Sequence, residues 1–378
     1  MLRRLLSKIR NRVLPQPQPI DLSMLDARID ARIEAQIGAR VRERLDAEID
    51  QHVETMLRTA TGDGHPNVNA LWRALKDMES LSLDVKLLGY QLGLAHEYRL
   101  QAIAVEAPGP FMSDCRPVTQ GDIETRWFRY WCEQLKERPR YHRKLWEFAY
   151  IMQALHAAGA LKPGAKVLVL GGDYQPAPSY LAAKGAEVVV AQHTDEALPG
   201  PAGDSLYFDN LASQKVFDKL VTRRVVDLSA LPSDLKDFDA CVCIAAANRR
   251  GSISAGLDFM RGLTERVKPG GLAVCIADFN YSDDAQTLDN WGSVLFQRRH
   301  FEEVAAAWKA EGQEVTPLDF NVGYMALDRF IDIPPFDVSR TQAQVGLWRD
   351  GWQAAHLKTA VDGFAVTSFG MVVRRKRH

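Results

Sequence analysis

Apolar residues recur at every fourth position early in the chain, from Leu25 through Ile29, Ile33, Ile37, Val41, Leu45, Ile49 and Val53 to Leu57. Alanine repeats between them at 27, 31, 35 and 39. The segment is rich in Ala, Arg and Glu, which favour helix, and its alternation runs too long for a strand. A helix over residues 20–61 is predicted. A four-residue step exceeds the roughly 3.6 residues of a turn, so the apolar stripe drifts around the helix and no straight heptad seam is encoded. This pattern predicts a right-handed or loosely wound coiled coil that self-associates through residues 22–57. The competing reading is a long helix packed on its own domain.

The phrase "TGDGHPNVN" breaks that helix. A second helical stretch follows, about Asn69 to Gln101, and "EAPGPFMSDCRP" reads as a loop. "TRWFRYWCEQLKERPRYHRKLWEFAYIMQALHAAG" then gives helices dense in Trp, Tyr and Phe. Aromatic density of this kind mostly means core, so residues 68–160 are expected to form a helical cap. His142, Arg143 and Lys144 are its polar members, placed to face ligand or solvent.

From residue 161 to 378 the period changes. "KVLVL" is a buried strand; "PAPSYLAAKG" is a short helix with prolines at its start and Gly185 at its end; "EVVVAQ" is a second strand. A third strand ends at Asp227, "FDACVCIAAA" is the fourth, "AGLDFMRGLTERVKPGG" is a helix with a glycine exit, and "LAVCIADF" is the fifth strand. Strands alternating with helices imply a doubly wound α/β domain whose ligand lies at the carboxyl ends of parallel strands.

Composition narrows the class. The chain has 378 residues, 46% apolar and 25% charged, with a net charge of −1, so no global field favours nucleic acid. Its five cysteines are scattered and odd in number, which suits the reducing cytoplasm. Cys241 and Cys243 alternate on one predicted strand in apolar surroundings and read as buried thiols, not as a metal or redox pair. No run reaches a membrane span of about 18 apolar residues. Residues 1–19 are cationic, with Arg3, Arg4, Lys8, Arg10 and Arg12, before the stiff spacer "PQPQP". Leu2, Leu5, Leu6, Ile9 and Val13 share a helical face, so residues 1–14 can lie peripherally on an anionic inner-membrane surface; the bland reading is a frayed terminus.

"FDACVCI…LTERVKPGGLAVCIADFN" resembles the class I S-adenosylmethionine-dependent methyltransferases, in which an "FD" strand, a helix, "LKPGG" and a fifth strand follow in order. The likeness extends from about Glu97 to Lys376 and leaves out the stalk and the cationic start. Within that class the chain is similar to bacterial proteins associated with glycan or surface-polysaccharide biosynthesis. The resemblance implies a Rossmann-like, seven-stranded sheet ending in an antiparallel pair, to which "HLKTAVDGFAVTSFGMVVRR" corresponds. It also implies S-adenosylmethionine as cofactor and a small-molecule or glycan acceptor, with a sugar hydroxyl as one candidate group.

The implied ligand positions depart from the family pattern. In place of Gly-x-Gly-x-Gly the first turn reads Val169, Gly171, Asp173, with Gly172 also available for close approach. Asp173 would repel a pyrophosphate, which disfavours a dinucleotide, but suits a sulfonium and an ammonium; the alternative is a helix cap. Gln192 stands where an acid usually takes the ribose hydroxyls. Asp227 and Leu228 stand where the adenine is reached, and Ala246 follows the fourth strand. Asn248 and Arg249 replace an acid–imidazole pair, while Asp278 and Asn280 keep a carboxylate and an amide. By this reading Asp278 takes or steers a proton, and His142 and Arg249 hold the acceptor; no metal site is expected. Each of these residues has a structural hydrogen bond as its bland alternative. The runner-up function is an inactive methyltransferase fold serving as an oligomeric scaffold in glycan or cell-surface assembly.

Overall fold

The computed structural model describes residues 68–171, 176–193, 206–334 and 355–377. The cationic start and the predicted stalk lie outside these residues, as do Gly172 and Asp173. Two units divide the chain, Met1–Glu79 and Ser80–His378. The element order opens with α1 (Val68–Ala102), which covers the second helical stretch foreseen from sequence. A two-residue strand β1 (Arg116–Pro117) and three helices follow: α2 (Gln120–Ile123), α3 (Arg126–Gln134) and α4 (Arg143–Ala157). The remaining elements alternate: β2 (Lys166–Leu170), α5 (Ala177–Ala183), β3 (Glu187–Gln192), α6 (Gln214–Leu220), β4 (Val221–Val225), β5 (Phe238–Ile244), α7 (Ile253–Arg261), β6 (Val267–Asn280) and α8 (Arg298–Ala310). Short β7 (Glu314–Val315), α9 (Ala326–Arg329) and β8 (Ile331–Asp332) precede the closing hairpin of β9 (Lys358–Val361) and β10 (Phe364–Arg374).

Among the described residues all strands join one mixed sheet of order β4-β3-β2-β5-β6-β10-β9-β8, with β1 and β7 also on β10. Ten strands are described against the seven expected, and three of them are only two residues long. The β2–β6 block is parallel and β10 runs antiparallel to β6. The outer edge of β10 is taken successively by β9, β1 and β7, so a long edge is not left open. Asp362 and Gly363, both at positive φ, make the hairpin turn, as the sequence "DG" demands.

Near-continuous apolar strands bury both faces of the sheet. Val167, Val169, Val188, Val190, Val242 and Val274 join the core under α3, α4 and α5. Their alternates Leu168, Leu170, Cys241, Cys243 and Cys275 join the core under α7 and α8. Cys241 and Cys243 therefore do face one side, and all five cysteines are free and buried. Helix α4 lies close on β10 because Gly370 has no side chain; a Cβ there would run into the Tyr150 ring.

One predicted boundary moves. The phrase "KPGG" does not end a helix: α7 stops at Arg261, a 3-10 turn covers Gly262–Arg266, and the phrase lies within β6. Opposite it the pairing jumps from Phe238↔Val267 to Ala240↔Leu272, so these residues bulge from the ladder. Gly270 supplies the positive φ, and Gly271 is so hemmed in that a Cβ would lie 2.8 Å from the Lys268 carbonyl. Among the described residues no helix is long and apolar enough to cross a membrane.

Lys358 opens β9 fully buried. Its ammonium donates to the Val118 carbonyl at 2.5 Å and to Thr367 Oγ1 at 3.4 Å. Burial outweighs the attraction of Asp328 and Asp122 and lowers its pKa to about 8. The unfolded value is about 10.4, so between these two the unfolded chain binds more protons and stability rises with pH. Urea unfolding of the wild type should therefore show a gain of roughly 2–3 kcal/mol from pH 7.5 to pH 10, beyond whatever Lys358→Met shows. Identical pH dependence in the two proteins would contradict this account of Lys358.

Candidate functional site

The chain winds from β2 outward to β3 and β4, then returns to place β5 and β6 on the other side of β2. The switch point lies between β2 and β5, where the crevice of a doubly wound sheet takes its ligand. Gly171 stands there with φ +99°. Its N–H donates to the Ala191 carbonyl at 3.0 Å. A Cβ on Gly171 would meet the Ile244 carbonyl at 3.3 Å and the Ala246 side chain at 3.8 Å. The missing side chain thus keeps clear the gap between the end of β2 and the turn that follows β5. Ala245, just past β5, also holds a left-handed φ of 56°, a conformation costing roughly 1–2 kcal/mol for a residue with a Cβ.

The neighbouring strand ends carry the other expected ligand positions. Gln192 ends β3 and is buried, and its carbonyl accepts the Val226 N–H at 2.9 Å. Asp227 follows β4 exposed, with its carboxylate accepting the Ser229 N–H at 2.8 Å. That backbone hydrogen bond holds its pKa below the ordinary carboxylate value. Leu228, next along, is buried in the core under α7 and α8. Ala246 is buried beside the gap, and its carbonyl accepts from Arg250 Nε at 3.0 Å.

Asn248 proves to be a brace. It is buried, donating through Nδ2 to the Val294 carbonyl at 2.8 Å and accepting the Asp278 N–H on Oδ1 at 3.2 Å. It ties the turn after β5 to the end of β6 and to the loop beyond. Arg249, next along the turn, is exposed. Asp278 occupies the carboxyl end of β6, and Arg143 Nη1 binds its Oδ1 at 2.7 Å. The α4 start, which delivers Arg143, is therefore brought to the strand ends.

His142 has one nitrogen committed to structure. It is the N-cap of α4, and its Nδ1 accepts the Lys144 N–H at 3.1 Å. Its ring stacks on His356, with centroids 4.7 Å apart. Burial first, then His356, pushes its pKa well below the usual histidine range. Sequence reading missed what lies behind it. His356 Nδ1 is 2.7 Å from Asp332 Oδ2, and Lys86 Nζ holds Asp332 Oδ1 at 2.5 Å. These three residues are far apart in the chain, so no local motif marks them. Behind Arg143, the buried Glu147 accepts from Ser368 Oγ at 2.5 Å and from Lys144 Nζ at 2.9 Å.

The site therefore joins Gly171, Gln192, Asp227 and Ala246 along one rim, with Asp278, Arg143, His142 and His356 at its β6 end. Among the described residues no group of three or more His, Cys, Asp or Glu could hold a metal. The donor set suits a cationic adenosyl group: a side-chain-free gap at the switch point, an amide at one strand end and carboxylates at two others.

No family model matches the chain, and no curated protein matches it. Solved structures that align with it include the cyclase SpnF, 15% identical over 61% of this chain and 84% of that one, with a TM-score of 0.36. The methyltransferase domain of bacterial CtHen1-C is 13% identical over 60% of this chain and 95% of that one, TM-score 0.36. An O-methyltransferase family protein from Burkholderia thailandensis is 10% identical over 62% of this chain and 60% of that one, TM-score 0.33. These are likenesses only; the reading of the site rests on the chain's own geometry.

Proposed function

We propose that this protein binds S-adenosylmethionine at the β2–β5 switch point and transfers its methyl group to a hydroxyl-bearing small molecule or glycan. The observation that carries this reading is Gly171, at positive φ at the crevice of the sheet, where a Cβ would come within 3.3 Å of the Ile244 carbonyl. When bound, S-adenosylmethionine supplies a methyl carbon activated by its sulfonium. Gln192 would take a ribose hydroxyl and Asp227 would reach the adenosine through its remaining acceptor capacity. Asp278, held by Arg143, presents a fixed carboxylate where the acceptor enters; Arg249 stands at the same rim. Catalysis of this kind is mostly positioning and exclusion of water, which a rigid rim supplies. Self-association through residues 22–57 and peripheral membrane contact through residues 1–14 belong to the same proposal, and would place the transferase on a surface where glycans are assembled.

The test is to incubate the full-length protein with methyl-labelled S-adenosylmethionine and a panel of sugars and oligosaccharides. Label in an acceptor, with matching release of S-adenosylhomocysteine, is the expected result. Tight cofactor binding with no transfer to any hydroxyl acceptor would remove the acceptor class from the proposal.

A further inference from the structure

The carboxyl end of β6 holds an ion pair whose hydrogen-bonding capacity is only partly used. Arg143 Nη1 donates to Asp278 Oδ1 at 2.7 Å, and this is the one bond between the two side chains. A guanidinium squarely facing a carboxylate would make two. Among the described residues Asp278 Oδ2 and Arg143 Nη2 have no hydrogen-bond partner, and Arg143 Nε is buried without one. The side chains of Arg143 and Asp278 are 15% and 22% exposed, so the pair is neither sealed in the core nor fully wet.

Strand register places this pair at the crevice. Ile244 pairs with Ile276, so Asp278, two residues on, lies level with the turn after β5, where Asn248 Oδ1 accepts its N–H at 3.2 Å. The Ile244 carbonyl bounds the gap at Gly171. Ile276 belongs to the core under α3, α4 and α5, and the alternation of a strand turns Asp278 to that same face, where α4 delivers Arg143. Both backbones are held. The Arg143 N–H donates to the His356 carbonyl at 2.9 Å, and the Asp278 carbonyl accepts the Phe296 N–H at 3.0 Å.

We infer that Arg143 is an acceptor-binding residue, and that with Asp278 it selects a neutral acceptor carrying vicinal hydroxyls. The inference rests on the methyl-transfer reading and names the acceptor class of that same site. One hydroxyl donates to Asp278 Oδ2, and the oxygen beside it accepts from Arg143 Nη2. A vicinal diol offers both on adjacent atoms. An anionic acceptor loses to Asp278 what it gains from Arg143, and a cationic one the reverse. Partly buried charges are weakly screened, so either mismatch is costly. The neighbours on α4 add no net charge: Lys144 Nζ is spent on Glu147 at 2.9 Å, and burial keeps His142 neutral.

The test uses the full-length protein saturated with S-adenosylhomocysteine and reads sugar binding by saturation-transfer NMR. The probes are methyl glucoside and methyl glucuronoside, which share their ring hydroxyls and differ by a carboxylate. The wild type should bind the neutral glycoside about tenfold more tightly, the worth of one charge-assisted hydrogen bond. Asp278→Asn leaves the Arg143 charge uncompensated and should reverse that order, a gain for the uronate that a merely structural ion pair would not give. Arg143→Lys keeps the charge without the planar fork, and should weaken the neutral glycoside about tenfold while S-adenosylhomocysteine binds as before. Equal or tighter binding of the uronate by the wild type, binding of neither sugar, an unreversed order in folded Asp278→Asn, or unchanged sugar affinity in Arg143→Lys would overturn the inference and leave the methyl-transfer reading standing. Failure of S-adenosylhomocysteine to bind would overturn both. If Asp278→Asn does not fold, the wild-type order and Arg143→Lys decide.

Discussion

Gly171→Val is expected to weaken S-adenosylmethionine binding at least about 100-fold, a loss of roughly 2.7 kcal/mol, in a protein that still folds. At φ +99° a β-branched residue is strained. Its Cβ would lie 3.3 Å from the Ile244 carbonyl, tighter than ordinary contact, and its methyls would crowd the gap between Gly171 and the turn after β5. The strain falls just past Leu170, the last paired residue of β2, so the strand pairs would survive it. Circular dichroism and urea unfolding establish the fold, and calorimetry reads the binding. Unchanged affinity in a folded variant would mean that the ligand does not use this gap.

Trp146→Ala is expected to destabilise the protein by about 3–5 kcal/mol. The indole is fully buried and stacks on Tyr150, with centroids 4.7 Å apart. It holds α4 where Tyr150 lies over Gly370, so a cavity there loosens the seat of α4 on β10. The loss is more than apolar. Trp146 Nε1 donates to Asp122 Oδ2 at 3.1 Å, and Asp122 is a buried carboxylate paired with Arg116. Burial already raises its pKa to about 6, and losing a donor removes one of the interactions that keep it charged. Trp146→Phe fills most of the space and should lose about 1–2 kcal/mol, the hydrogen bond alone. Equal losses in the two variants would show that the carboxylate, not the packing, sets the cost. Because α4 delivers Arg143 to Asp278, the Ala variant should also weaken the order of the site.

Much of the sheet was legible in the sequence because its information is local. Apolar runs such as "KVLVL" and "EVVVAQ" can only be strands buried on both faces, and "VDGFAV" can only be a hairpin. The "KPGG" bulge was misplaced since proline and glycine mark both a helix exit and a break in a ladder. What separates them is the fit of Gly271 against Val267 and Asp239, a tertiary fact. At the site, Gly171 and Asp278 were visible by resemblance, being set by strand ends. Asn248 looked like a lost catalytic acid but is a brace, since its partners Val294 and Asp278 come from later elements. Lys358 is fully buried, a fate lysine almost never meets and no local pattern marks. The Lys86–Asp332–His356 chain joins α1, β8 and the approach to β9, so it could emerge only once the chain had folded.

The most direct test of the central claim is a calorimetric titration of the full-length protein with S-adenosylmethionine and S-adenosylhomocysteine, wild type beside Gly171→Val and Asp227→Ala. The account predicts dissociation constants of about micromolar size, near −8 kcal/mol, for the wild type with both ligands, and loss of the heat in both variants. No binding to the folded wild type at millimolar ligand would contradict it, and would turn attention from the sheet to the amino-terminal segment and what it assembles.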